Sequence, residues 1–406
     1  MGAKPSVEFE RHVRELEALG HRGSASALEH RAAEYLAGEL RSLGLGPTIE
    51  PFRGARSLPS RHLVHVIVAA IGAAVIGWSP VATIVLATAA LISLVAEQTT
   101  LVVWLSRPVV RFKSQNVWVR IRPSGEAKRR IVLSAHYDTQ HCGWVWKINR
   151  YLAPLGFRSP MLLKPPMQQV AFLFFAGIIL GAAAVVARHS MVIGALAVLL
   201  LVGYAVMVLL FVQWALGRSV PGATDNASGV AAVFELARQW MNSPPADDVE
   251  LVVLLTGCEE SGMLGAAAWI DSHRDELRHL PTVYLNIDGI GFGPPRFLGT
   301  EVPIVGLPIA SRAFIVDLCN QAAGELGLTD AGPHAIPTTD GLAFLERGVP
   351  GVTIVGFQGD GVLPHYHTMQ DTLANMDLAA AAAGVEFARA VLLRLATSRW
   401  PAKTEN

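Results

Sequence analysis

IVLSAHYDT, residues 131–139, carries an apolar run of Ile131, Val132 and Leu133 into a histidine and an aspartate two positions apart. A short apolar run of this kind reads as a buried strand. Others share its shape: NVWVRI at 116–121, DVELVVLLTGCEE at 248–260, PTVYLNIDGIG at 281–291 and VPGVTIVGF at 349–357. Between and before them lie helical patterns, FERHVRELEAL, ALEHRAAEYLAGELRSLGL and GVAAVFELARQWM. Strands alternating with helices predict an α/β fold, a three-layer α/β/α sandwich on a largely parallel mixed sheet. In such sheets, sites gather at the carboxyl ends of the strands. The two-residue period points His136 and Asp138 the same way from one such end.

The rest of the composition is oily. Of 406 residues, 51% are hydrophobic and 16% charged, against roughly a quarter charged in ordinary soluble domains. Mean hydropathy is +0.39. Formal net charge is zero and there is no Lys/Arg-rich block, which excludes the basic footprint of a nucleic-acid binder. Cys142, Cys258 and Cys319 are scattered and odd in number, so they form neither a disulfide framework nor a zinc-knuckle spacing.

The apolar residues concentrate in three stretches, Leu63 to about Leu105, Val170 to Ala187 and Met191 to Leu216. A spanning helix needs about 20 apolar residues. The later two stretches are one helix each, and the first is a pair turning at Ser79-Pro80, with Leu63–Gly77 short and Glu97 interrupting the return. The start of the chain lacks the basic, apolar and small-residue pattern of a signal peptide.

Titratable residues recur at the predicted strand ends. Asp225 lies in PGATDNASGVAA before a helix and, alone, reads equally well as an N-cap. Glu259 and Glu260 follow LVVLLTGC, where acids also favour a helix start. Asp288 ends VYLNID, and His367 sits in PHYHTMQDT. The set, hard oxygen and imidazole donors at successive strand ends, points to a metal centre.

In order, HYDT, GATDNASGVA, EESGMLGA, NIDGIG and HYHTMQDT resemble the co-catalytic zinc aminopeptidases, the family of bacterial leucyl aminopeptidase and, more distantly, glutamate carboxypeptidase. The resemblance covers residues 1–60, 114–140 and 220–400. It implies two Zn ions, with His136 and Asp288 on one, Glu260 and His367 on the other, and Asp225 bridging. It implies Glu259 as general base, Asp138 as the carboxylate holding the imidazole of His136, and Asp340 in TTDGLAFLERGVP near the substrate. His365 falls outside the pattern, and Gly289 stands where relatives often carry a bulkier residue. The implied activity is a metallo-aminopeptidase acting on peptide substrates. The alternatives are a single-zinc glutaminyl cyclase and an inactive membrane-anchored binding scaffold.

The domain reading follows: 1–60, 107–140 and 220–406 form the catalytic domain, 61–106 is one transmembrane hairpin, and 141–219 holds an interfacial segment and a second hairpin. Because His136 and Asp225 must meet, the second insert crosses an even number of times. Its leading segment, GWVWKINRYLAPLGF, suits a headgroup region. Arg53, Arg56, Arg61, Arg107, Arg111, Lys113, Lys147, Arg150, Arg158 and Lys164 flank the inserts, against Arg188 at the far turns. The positive-inside rule then predicts a multi-pass protein of a bacterial-type inner membrane, in contact with the lipid bilayer, with its catalytic domain cytoplasmic. The sequence leaves the oligomeric state open.

Overall fold

The computed structural model describes residues 5–152, 166–359 and 363–401. Residues 153–165, with Arg158, Lys164 and the end of the expected interfacial segment, lie outside them.

The strands are β1 Thr48–Gly54, β2 Phe112–Ile121, β3 Arg129–His136, β4 Val249–Thr256, β5 Thr282–Asp288, β6 Pro295–Val302, β7 Ile309–Ala310, β8 His334–Pro337 and β9 Gly351–Gly356. They form one sheet in the order β1-β2-β4-β3-β5-β9-β6-β7, with β8 on β6. The centre, β4-β3-β5-β9, is parallel, and β1, β2, β6 and β7 extend it antiparallel. The predicted mixed, mostly parallel sheet is present. His136 is the last residue of β3, beside Thr256 at the end of β4, and Asp288 is the last residue of β5.

Alternation along the strands divides the core into two layers. Ile131, Leu133, Leu251, Val253, Leu285 and Ile354 face a large apolar cluster shared with α1 Val7–Ala18, α2 Ala27–Ser42, α8 Ser228–Asn242, α11 Ala313–Glu325 and α13 Leu378–Thr397. Val132, Val252, Leu254 and Tyr284 face the other way, against α9 Leu264–Ser272 and α12 Asp340–Glu346. The helices begin where the sequence supplies caps: Ser6 accepts from the amide of Phe9, Ser26 from Glu29 and Asp377 from Ala380.

The apolar stretches form a separate bundle of α3 Leu58–Ala74, α4 Pro80–Gln98, α6 Pro166–Ala187 and α7 Met191–Ala215, around Val66, Ala90, Phe174, Leu200 and Tyr204. Among the described residues three of these helices are long and apolar enough to cross a membrane, and α3 has 17 residues, about 25 Å at the helical rise. The first hairpin turns at Ser79-Pro80 as the sequence predicts: Ser79 caps α4 and Pro80 is its first residue. It begins earlier than predicted, at Leu58, because Pro59 sits in the first turn, where a missing N–H costs nothing.

Both ends of each hairpin return to the sheet. Across the second insert the backbone pairs with itself: Cys142 N donates to Arg218 O and Val220 N to Gln140 O, both at 2.9 Å. The insert therefore leaves and re-enters the catalytic domain at one place.

Candidate metal centre

The strand ends bring the separate motifs together. His136 Nε2 lies 3.1 Å from Asp225 Oδ1 and 3.4 Å from Asp288 Oδ1. His367 Nε2 lies 3.0 Å from Asp225 Oδ2 and 3.3 Å from Glu260 Oε1. The donors fall into two trios, His136–Asp225–Asp288 and Asp225–Glu260–His367, with Asp225 common to both. Its two oxygens address different histidines. Glu259 Oε2 stands 4.0 Å from His136 Nε2, outside both trios and less buried than Glu260.

Charge explains the titration of the group. Burial holds the Glu259 carboxyl well above its usual range, helped by Glu260, Asp288 and Asp340 and opposed by His136. Burial alone would lower His136, but Asp288, Glu259, Asp138 and Asp225 push it well above normal. His367 is treated the same way by Glu260 and Asp225 and reaches about 9. Asp225 falls below its ordinary value, because hydrogen bonds from the two imidazoles outweigh its burial. Carboxylates outnumber imidazoles, and buried negative charge of this kind calls for a cation.

The donors also fit one. Glu260 Oε1 and His367 Nε2 are buried and face each other at 3.3 Å, with neither atom in a hydrogen bond of good geometry. A set of imidazole nitrogens and carboxylate oxygens, without sulfur, suits zinc in an open site.

Residues that sequence reading passed over build the frame. Gln140 Nε2 donates to Glu260 Oε2 at 2.8 Å and to its carbonyl at 3.1 Å. Asp371, within the quoted HYHTMQDT, accepts the amides of Thr224 and Asp225. Asn226 Oδ1 accepts the amides of Gly229 and Gly289, and its Nδ2 donates to Ile287 O, so the Asp225 and Asp288 segments are tied. Gly289 has φ +65, and a Cβ there would lie 3.1 Å from Phe292, which accounts for the small residue after Asp288. Arg22, wholly buried, donates to the carbonyls of Tyr137, Pro221 and Gly222 and so clamps the chain beside both His136 and Asp225. Arg22 and Gln140 lie outside the quoted motifs; Asn226, Gly289 and Asp371 had their places in GATDNASGVA, NIDGIG and HYHTMQDT as a signal.

Asp138 lies 3.5 Å from His136 Nδ1, beyond a good hydrogen bond. Its oxygens accept the Ser24 hydroxyl at 2.6 Å and the amides of Glu259 and Glu260 at 3.0 and 3.2 Å. Asp340, at the start of α12, is fully buried and accepts the Thr256 hydroxyl, next to His136 across the sheet. Burial raises its carboxyl to about 7. His365 is partly exposed, with Nδ1 3.1 Å from Gln370 Oε1.

The membrane-like bundle touches the same place. In α5 Trp144–Leu152, the Trp146 ring meets His367 edge-on at 4.1 Å and Trp214, near the end of α7, at 4.9 Å. Both indoles donate to the carbonyl of His141.

Residues 210–392 match peptidase family M28. This part of the chain is similar to that family. It is 25% identical over 158 residues to aminopeptidase YwaD of Bacillus subtilis, a match covering 38% of this chain and 34% of that protein. The likeness to solved structures extends over the fold. The zinc aminopeptidase of Bacillus subtilis superposes with a TM-score of 0.56 at 14% identity, covering 96% of this chain and 94% of that one. The glutaminyl cyclase of Tannerella forsythia superposes at 0.55 with 16% identity, covering 97% and 98%. The M28 match takes in Asp225, Glu259, Glu260, Asp288, Asp340 and His367, while His136 and both helices of the first hairpin precede it.

Proposed function

We propose that this chain is a zinc-dependent aminopeptidase of the membrane, hydrolysing the N-terminal peptide bond of its substrates with two Zn ions. The observation that carries the reading is Asp225: its two oxygens lie 3.1 and 3.0 Å from the Nε2 atoms of two different histidines, each with a further carboxylate beside it. In this reading His136 and Asp288 would hold one ion and Glu260 and His367 the other, with Asp225 common to both sets. Bound zinc would supply Lewis-acid chemistry, making water acidic enough to lose a proton near pH 7 (about 7 against 15.7).

The protein's own residues do the rest. Glu259 takes a proton from the attacking water as its oxygen bonds to the scissile carbonyl carbon, then gives that proton to the amine as the C–N bond breaks. Its raised affinity for protons suits the second half of that task. Asp138, bonded to the amides of Glu259 and Glu260, keeps base and ligand on one rigid turn. Asp340, beside Thr256 and His136, borders the substrate position. Trp146 covers His367 and sheds water from that side of the site.

The outward faces of α4, α6 and α7 carry Val85, Ile179, Val198, Leu199 and Leu209, all more than half exposed, which supports burial of the bundle in lipid. Crossing as two hairpins, with the catalytic domain in the cytoplasm, accords with the cationic residues at the sheet-side ends. The contact of Trp146 with both Trp214 and His367 supports a centre close to the end of a span. This favours short peptides at the membrane surface, or N-termini emerging from it, as substrates.

Purified full-length protein is tested against aminoacyl amides, N-blocked peptides and peptides with N-terminal glutamine. Release of free N-terminal residues, abolished by blocking the amine, is the expected result. Cyclisation of glutamine without hydrolysis would replace this reading with the cyclase, and zinc binding without any turnover would replace it with the scaffold.

A further inference from the structure

One side chain joins the first hairpin to the turn that carries Glu259 and Glu260. Arg61, in the first turn of α3, is buried. Its Nη1 donates to the carbonyl of Ser261 at 2.8 Å, its Nη2 to Glu97 Oε2 at 3.2 Å and its Nε to Ser106 Oγ at 3.3 Å. Glu97, in the last turn of α4, is itself fixed: Oε1 accepts the amides of Trp104 and Ser106 at 3.1 and 3.0 Å and the Ser93 hydroxyl at 3.1 Å. Glu97 thus interrupts an apolar helix in order to hold a guanidinium, and that guanidinium holds backbone one residue from Glu260.

The turn has need of such a hold. Cys258, Gly262 and Met263 have φ of +55, +106 and +56. Left-handed backbone at non-glycine residues persists where the surroundings enforce it. The amide side is enforced within the catalytic domain: Cys258 N donates to Glu29 Oε1 at 3.1 Å, and the amides of Glu259 and Glu260 to Asp138. The carbonyl of Ser261 looks out to the hairpin. A Cβ on Gly262 would lie 2.2 Å from Arg61 Nη1, so the guanidinium packs against the main chain itself. Three donors fixed in a plane serve three partners in different directions, a task an ammonium on a flexible stem cannot match.

We propose that Arg61, held by Glu97, is a positioning residue of the metal centre, through which the first hairpin sets the place of Glu260 and Glu259. The inference rests on the reading above, in which Glu260 is a ligand and Glu259 the base. Loss of the Arg61 contact lets the turn shift Glu260 away from His367 and Asp225, which weakens zinc and slows turnover without touching substrate affinity.

Full-length protein in nanodiscs carries the test. Arg61→Lys keeps a cation for Glu97 and loses the fork. Zinc affinity, read by competition with a chromophoric chelator, should fall about 10-fold or more, and kcat per zinc-loaded chain should fall with KM unchanged. Tyr204→Phe, which removes a hydroxyl bonded to Leu173 O deep in the second hairpin, should alter none of these, separating positioning from general loosening of the bundle. Wild-type zinc affinity and kcat in Arg61→Lys would overturn the proposal. If Arg61→Lys does not fold, Glu97→Gln decides: it should weaken zinc by a smaller factor, and unchanged affinity there overturns the proposal equally. Should the wild type hydrolyse no peptide, the peptidase reading fails, while the chelator competition still tests the positioning.

Discussion

The carboxylate of Asp371 accepts the amide of Thr224 at 2.8 Å and that of Asp225 at 3.1 Å, so the acid shared by the two trios is aimed by a second buried acid that touches neither histidine. Asp371→Asn would turn one acceptor into a donor facing an N–H, at a cost of about 1–3 kcal/mol for the unsatisfied group. Zinc affinity should drop about 10- to 100-fold, measured by chelator competition. Unchanged affinity would remove Asp371 from the frame.

Chelation should abolish hydrolysis and added zinc restore it, with about two zinc atoms per chain by elemental analysis. Glu259→Gln removes the base and no ligand, so it should retain its zinc and lose about 100- to 10,000-fold in kcat. Full turnover in that variant would assign the proton transfer elsewhere.

Trp144 is half exposed, two residues from the Trp146 that covers His367. A spin label at Trp144 in reconstituted protein should be relaxed by lipid-soluble oxygen more than by a water-soluble agent, whereas a label near His365 should show the reverse. Bulk-water accessibility at both would reject interfacial placement of α5.

A reporter active only in the cytoplasm, fused after the last residue, should be active if the catalytic domain lies inside. A silent but expressed fusion would reverse the topology.

His12 in α1 is buried against Phe234 at 4.5 Å, with Nδ1 2.9 Å from the Tyr35 hydroxyl. Burial, with Arg11 beside it, pushes its pKa down from 6.5 to about 4. The unfolded chain therefore binds this proton first, and the associated stability, complete above about pH 6.5, is lost as pH falls through about 4. The melting temperature of the detergent-solubilised protein should decline from pH 7 to pH 5 by less in His12→Gln than in wild type. Equal declines would show that His12 does not drive the acid sensitivity.

The strands that carry donors were legible because each is an apolar run ending on a titratable residue, as in β3 with His136 and β5 with Asp288. The two longest apolar helices were legible from length alone. What could not be read depends on contacts between distant segments. Arg22, Gln140 and Asp371 look like ordinary loop residues until the fold sets them against backbone far away in the chain. β6, β7 and β8 lie among prolines and glycines at the sheet margin, where propensity depends on neighbours that the sequence does not name. Glu97 read as a flaw in a span; its meaning appears only with Arg61 opposite.

The pairing of β1 with β2 spans the first hairpin, that of β3 with β4 spans the second, and α1 packs on α8. During synthesis, the ribosome therefore delivers both apolar hairpins before residues 228–256, which the opening segment needs as a packing surface, have been made. In the membrane reading proposed above, hairpins that insert as they emerge would leave α1 without its partner α8 until the spans are in place. In that reading insertion would come before assembly of the sheet, and a chain stalled before β4 would carry the spans but lack Glu259, Glu260, Asp288 and His367.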